Sequence, residues 1–321
     1  MENIKEKDMD SFKIAFNAIV PITLIVIMGY LLKKYKLLDK HTIKNMNSLC
    51  FKFFLPILTF SNIIHTNVKE IIDAKLLIYA MISIVIIISI SIFIVPYFEK
   101  ERKKQGSMIQ GIYRSNFVIL GIPLTSHIAG EKASATAAIL IMVVIPLYNF
   151  FAVVILSIYG GQSKIKLKEI ALQVIKNPMI IASLSGILIS VTGINLPIFI
   201  DKAVIDLSKL GGVLPMFLLG ADLDFSSVSS NMKDLIVTLS AKLLIVPLIF
   251  LSLAISLGFS SEKIVALIAM YCAPIAVSSA IMAQQMGCDS ELSTQLVVFS
   301  TVISCFTIFM WVFSLSLLKL I

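Results

Sequence analysis

Residues 114–124 read RSNFVILGIPL and residues 271–280 read YCAPIAVSSA. Each stretch sets a proline, Pro123 or Pro274, near the middle of an apolar run of membrane-spanning length. Proline removes one backbone donor and disturbs a carbonyl in the preceding turn. Hydrocarbon offers those groups no partner, so an interrupted helix is tolerated only where protein shields it or a wet cavity faces it. Small and polar neighbours at both prolines predict unwinding there, with a half-helix N-terminus near the midplane. The free N–H groups and dipole of such an end favour negative charge, and two antiparallel ends would hold an anion without a cationic side chain. An ordinary proline kink is the competing reading of each stretch alone; their matched positions favour two broken helices that cross.

Composition places the whole chain in a membrane. Of 321 residues 58% are hydrophobic and 14% charged, with a mean hydropathy of +0.97, whereas a soluble domain carries about 25% charged residues. The charges fall in short clusters between apolar runs of about 18–25 residues, the length that crosses hydrocarbon as a helix. These runs predict an all-α membrane protein of ten spans, near 12–32, 43–64, 74–98, 107–129, 133–159, 177–194, 197–221, 234–257, 262–286 and 291–317. The first run lacks a small-residue cleavage site and reads as a retained helix. The net charge of +8 lies in loops rather than on one folded face, so it sets topology and points to no nucleic acid. Loops after odd-numbered spans hold fourteen Lys and Arg against nine on the other side. This bias predicts a multi-pass protein of the cell membrane with both termini outside the cytoplasm. Cys50, Cys272, Cys288 and Cys305 form no CxxC pair, and His41, His65 and His127 have no metal-ligand spacing, so neither metal nor cofactor is expected.

The two halves repeat. Pro21 and Gly29 match Pro178 and Gly186 at an offset of 157; Leu55-Pro56 matches Leu214-Pro215 at 159. Pro123 matches Pro274 at 151, and Gly130 matches Gly287 at 157. Four matches in chain order predict a first repeat over 1–159 and a second over 160–321. Five helices per repeat force opposite orientations, the inverted architecture typical of secondary transporters.

These residues resemble the auxin efflux carrier family, which includes bacterial carboxylate permeases and the plant PIN-FORMED carriers. The resemblance rests on Arg114-x-Asn116, Gly121-x-Pro123, Asn177-Pro178, Leu214-Pro215, Gly220-Ala-Asp222 and Ala273-Pro274 with Ala283, Gly287 and Asp289. It covers essentially the whole chain. It implies crossed fourth and ninth helices, a scaffold near 12–64 and 177–221, and transport helices near 74–159 and 234–317. It further implies elevator-type movement, carboxylates bound at the crossing, and a homodimer. The central loop, about 160–176, is far shorter than that of many plant members, which points to a bacterial-type permease. The tenth span lacks the proline that the family leads one to expect near its end.

The expected function is therefore carriage of a small organic anion across the lipid bilayer. Candidate substrate residues are Asn116, Gly121, Pro123, Tyr148, Asn149, Pro274, Ser278 and Ser279. Asn116 lies about two turns before Pro123, so its amide faces either the crossing or a neighbouring helix. Arg114 attracts an anion or snorkels from its helix end; Asp222 reads as a boundary or gating charge. A sodium-coupled symporter is the alternative, because hydroxyl, amide and backbone oxygens hold Na⁺. A cation–proton antiporter usually needs a midplane acid, and spans four, five, nine and ten have none at their centres. No HExxH, aspartyl pair or mid-span Ser–His pair is present, so no enzyme is expected.

Overall fold

The computed structural model describes residues 20–66, 73–161 and 167–321, without the side chains of 118–123, 127 and 167. The regular elements of the described residues are all helices, with one isolated β-bridge and no strand. In chain order the helices are α1 (20–34), α2 (Lys40–Ile64), α3 (Ala74–Phe98), α4 (Arg102–Tyr113), α5 (Phe117–Gly160) and α6 (Leu167–Lys176). There follow α7 (Pro178–Thr192), α8 (Ile198–Asp222), α9 (Val228–Ser256), α10 (Ser261–Cys272), α11 (Ser278–Gln285) and α12 (Ser290–Leu317).

Among the described residues six helices are long and apolar enough to cross a membrane alone, and a seventh arises if α6 and α7, bent by 59°, count as one. Several of the ten expected spans take other forms. The fourth and ninth are divided; the sixth, expected at 177–194, is α7 alone, too short by itself, and the expected central loop at 160–176 holds the helix α6. Within α5, Ala129 and Gly130 leave helical geometry (Gly130 φ 73°, ψ −165°). Only glycine adopts that conformation cheaply, so the chain turns there between the fourth and fifth expected spans.

Local sequence explains how these helices start and bend. Asp39, Asp73 and Asp289 cap α2, α3 and α12 by accepting the backbone N–H of Thr42, Leu76 and Leu292 at 2.7, 3.0 and 2.8 Å. Helix α7 opens on Pro178 behind the Asn177 cap and stops at left-handed Gly193. Both α2 and α9 widen into a π-turn, at Cys50–Phe54 and Ala241–Ile245, just ahead of Pro56 and Pro247. Pro247 has no N–H to give the carbonyl of Leu243, and the indole N–H of Trp311 donates to that carbonyl at 3.0 Å. A proline thus sits within a membrane helix without leaving its carbonyl unpaired.

Helices α4 and α10 are wrapped by the others. Every residue from Gln105 to Tyr113 and from Ile264 to Cys272 is buried, whereas Phe93, Leu188, Ile198 and Phe306 on outer helices are exposed. A helix buried all round belongs to the interior. Close packing of α1 on α8 depends on glycine: a Cβ on Gly220 would stand 1.8 Å from the Val26 carbonyl oxygen, and one on Gly29 1.9 Å from that of Phe217.

Candidate functional site

Two interruptions in the buried helices meet. Between α4 and α5 the backbone is extended at Arg114 (φ −82°, ψ 128°) and leaves helical geometry again at Asn116. Between α10 and α11 it is extended at Ala273 (φ −60°, ψ 148°). Ser115 and Ile275 form an antiparallel bridge, and the Asn116 N–H donates to the Pro274 carbonyl at 2.7 Å. The first interruption thus falls seven residues ahead of Pro123, which lies inside α5. The second includes Pro274, whose carbonyl is the acceptor of that bond.

This pairing changes the electrostatics expected from sequence. Several donors at the breaks are already engaged: Asn116 as above, Ile275 with the Ser300 hydroxyl at 3.0 Å, Ser279 and Ala280 with the carbonyls of Ala276 and Val277. The strongest positive charge is instead a side chain. Arg114 is 3% exposed, and one guanidinium nitrogen donates to Asn149 Oδ1 at 2.8 Å and Ser278 Oγ at 2.9 Å. Its other terminal nitrogen faces the Met282 sulfur at 2.7 Å and the Gln110 side-chain oxygen at 3.1 Å, with the Gln110 amide turned so that its nitrogen donates to the Ser279 carbonyl at 3.3 Å. All of these partners are neutral, and among the described residues no carboxylate forms an ion pair with Arg114. A buried charge without a counter-ion is costly, and a planar fork of donors matches a carboxylate bidentately.

Arg114 lines a cavity between two groups of helices. One wall is Leu55, Leu58, Thr59 and Asn62 of α2 with Met179 of α7; the other is formed by the two breaks and by Ile145, Tyr148 and Asn149 of α5. It offers about 70 Å³ to the centres of water molecules, several times the roughly 10–15 Å³ that one water needs by that measure.

Of the sequence-derived candidates, Arg114, Asn116, Tyr148, Asn149 and Ser278 line this cavity. Tyr148 packs its ring 5.8 Å from that of Tyr113. Ser279 is buried outside the lining, and its hydroxyl has no partner among the described residues. Gly121 and Pro123 have their backbone in α5, and nothing beyond that backbone is described. Asp222 stands elsewhere, against Asn47 and Gln284. Sequence reasoning missed Gln110, Thr59 and Asn62. Gln110 had a signal, since it lies one helical turn before Arg114 on the same face; Thr59 and Asn62 had only their polarity.

Comparisons with known proteins identify the chain as a membrane transport protein. A family model described as "Membrane transport protein" matches residues 14–312. An uncharacterized transporter of Methanothermobacter thermautotrophicus is 21% identical over 295 residues, covering 91% of this chain and 96% of that protein.

Proposed function

Because the chain belongs to the membrane transport protein family, the auxin efflux carrier group that its motifs resemble, we propose that it is a secondary transporter of a small organic anion such as a carboxylate. The observation that carries this reading is the buried Arg114 guanidinium, which meets only neutral acceptors at the edge of a cavity. An anion there supplies the missing counter-charge. The cavity lining contains one formal charge, that of Arg114, so a monoanion balances it and a dianion leaves a buried negative charge uncompensated. The favoured substrate is therefore a monocarboxylate or a singly ionised diacid.

The mechanism is elevator-type alternating access by two inverted five-helix repeats with crossed broken helices. The paired interruptions at 114–116 and 273–277 support the crossing. The cavity's position supports the elevator, because α2 and α7 give one wall and the two breaks with α5 and α11 give the other. In this scheme α1, α2, α7 and α8 stay fixed while the remainder carries the anion across. Such motion turns one cavity alternately to each side, and the neutral wall of α2 lets the charged partner slide past.

The test is a thermal-shift screen of the purified protein with monocarboxylates, dicarboxylates and uncharged amides of matched size. A stabilising ligand reports its affinity for the native state. Stabilisation by monocarboxylates but not by their amides is expected. Equal response to acids and amides removes the anion from the proposal, and uptake by reconstituted vesicles then checks the best ligand as cargo.

A further inference from the structure

Helices α3 and α9 run antiparallel and are tied to each other near two places. At one the Tyr79 hydroxyl donates to the Phe250 carbonyl; at the other Lys233 Nζ donates to the Phe98 carbonyl at 2.6 Å. Between these ties lies a groove that offers about 400 Å³ by the measure that gives the Arg114 cavity about 70 Å³. Its floor is buried (Ile87, Ser91 and Ile112) and its rim is exposed (Ile94, Ile236 and Ile249). On the α9 side Ser240 and Ala241 line it with small side chains, which leaves room opposite α3. Among the described residues nothing fills it.

The lining says what can occupy the groove. It holds no formal charge, and its side-chain hydroxyls are those of Ser91 and Ser240. Ser91 already donates to the Ile87 carbonyl at 2.7 Å. A water-soluble substrate finds no recognition there, whereas a hydrocarbon chain fills the space by van der Waals contact. From Ile87 to Phe98 the groove follows eleven residues of α3, about 16 Å of helix at 1.5 Å per residue. That is close to half of the roughly 30 Å hydrocarbon layer, so the groove is as long as one leaflet is deep.

The Phe98 end of the groove is basic. Lys100 and Lys233 are exposed there and spend one donor each, on the Pro96 and Phe98 carbonyls, both at 2.6 Å. An ammonium has three donors, and neither lysine forms an ion pair among the described residues. The nearby acids are engaged. Glu99 Oε1 accepts from the N–H groups of Lys100 and Glu101, each at 2.6 Å, and buried Asp234 faces Glu99 and pairs with Lys104 at 3.7 Å. Lys100, Arg102, Lys103, Lys104 and Lys233 against Glu99, Glu101 and Asp234 make five positive charges against three negative, a net of +2. We propose that the groove between α3 and α9 binds an acyl chain of an anionic phospholipid, whose phosphate rests on Lys100 and Lys233. The expected topology puts this end on the cytoplasmic side, the leaflet in which anionic lipids attract basic segments. The inference goes beyond the anion reading and does not depend on it.

The experiment titrates the purified full chain in detergent with phosphatidylglycerol, phosphatidylcholine or inorganic phosphate, reading bound lipid by native mass spectrometry and stability by Tm. Phosphatidylglycerol should form a saturable adduct and raise Tm above the value with phosphatidylcholine; inorganic phosphate alone should do neither. Replacing both lysines, Lys100→Gln with Lys233→Gln, should weaken phosphatidylglycerol binding by about thirtyfold, about fivefold for each charge. Ser240→Trp, which fills the groove, should remove the saturable adduct. The lysine variant changes only exposed side chains and carries the test if Ser240→Trp does not fold. Arg114→Gln should keep the lipid response, which separates this site from the anion cavity. Equal affinity for the two lipids, an equal rise in Tm with inorganic phosphate, or wild-type phosphatidylglycerol binding in a folded site variant overturns the proposal. So does a wild-type dimer that binds no lipid and that Ser240→Trp dissociates, since a second copy then occupies the groove.

Discussion

Replacing Arg114 with glutamine separates the charge's role in binding from its role in the fold. The wild-type guanidinium is 3% exposed and bonded to Asn149, Ser278 and Gln110. A carboxylate seated on it gains charge-assisted bonds worth about 1.5–3 kcal/mol each, and breaking a buried charged pair costs about 3–5 kcal/mol. At roughly 1.4 kcal/mol per factor of ten, Arg114→Gln should weaken carboxylate binding by about 10²–10³-fold. Stability should behave differently. The substitution removes an ion whose burial costs several kcal/mol, and this offsets the lost bonds to neutral acceptors, leaving a net change of about 2 kcal/mol or less. The assay is a ligand titration of Tm on both proteins, using the carboxylate that best stabilises the wild type. Arg114→Lys, which keeps the charge and loses the planar fork, should fall between them. A folded Arg114→Gln protein with wild-type affinity would falsify the assignment of Arg114 to the anion.

Three further outcomes follow from the same geometry. Asn149→Asp places a carboxylate where Oδ1 now stands, 2.8 Å from the guanidinium; it should raise Tm and abolish anion binding, and undiminished binding would show that Arg114 was not awaiting a counter-charge. Gly220→Val drives a Cβ to 1.8 Å from the Val26 carbonyl and should destabilise by about 1–3 kcal/mol or more, while Gly212→Ala, with nothing within 4 Å of its Cβ, should be nearly silent; equal melting of the two would refute the close α1–α8 contact. The Lys263 ammonium and the Leu76 N–H hold the Asp73 carboxyl below its usual range, so the ionised form stabilises the fold. Asp73→Asn keeps a capping oxygen and removes the charge. It should cost up to about 1 kcal/mol near pH 7, with the difference from wild type closing as the pH falls below about 4; a constant difference from pH 7 to 3 would rule out the ion pair.

How much of the site was legible depended on the kind of signal. Arg114 and Asn116 stood out as polar residues in an apolar run, and Tyr148, Asn149 and Ser278 by their distance from a proline; all five line one cavity. The position of the first break was not legible. Pro123 marked the expected place, yet the chain opens at 114–116, where the Asn116 N–H finds the Pro274 carbonyl. Proline reports only what it cannot bond, whereas the unwound residues are those that find partners on another segment. The same limit hid the contacts of Asp222: Asn47 and Gln284 are far from it in the chain, and only the fold sets both against its carboxylate.

The sequence alone determined that this chain is a helical membrane protein and to which family it belongs. Hydropathy sums over neighbouring residues, and short motifs are read in order, so both survive without coordinates. Only the tertiary structure decided that Arg114 is buried rather than at a wet helix end, because its partners Asn149 and Ser278 lie 35 and 164 residues away. The energy of a charge is set by whatever surrounds it, and here distant helices supply those surroundings.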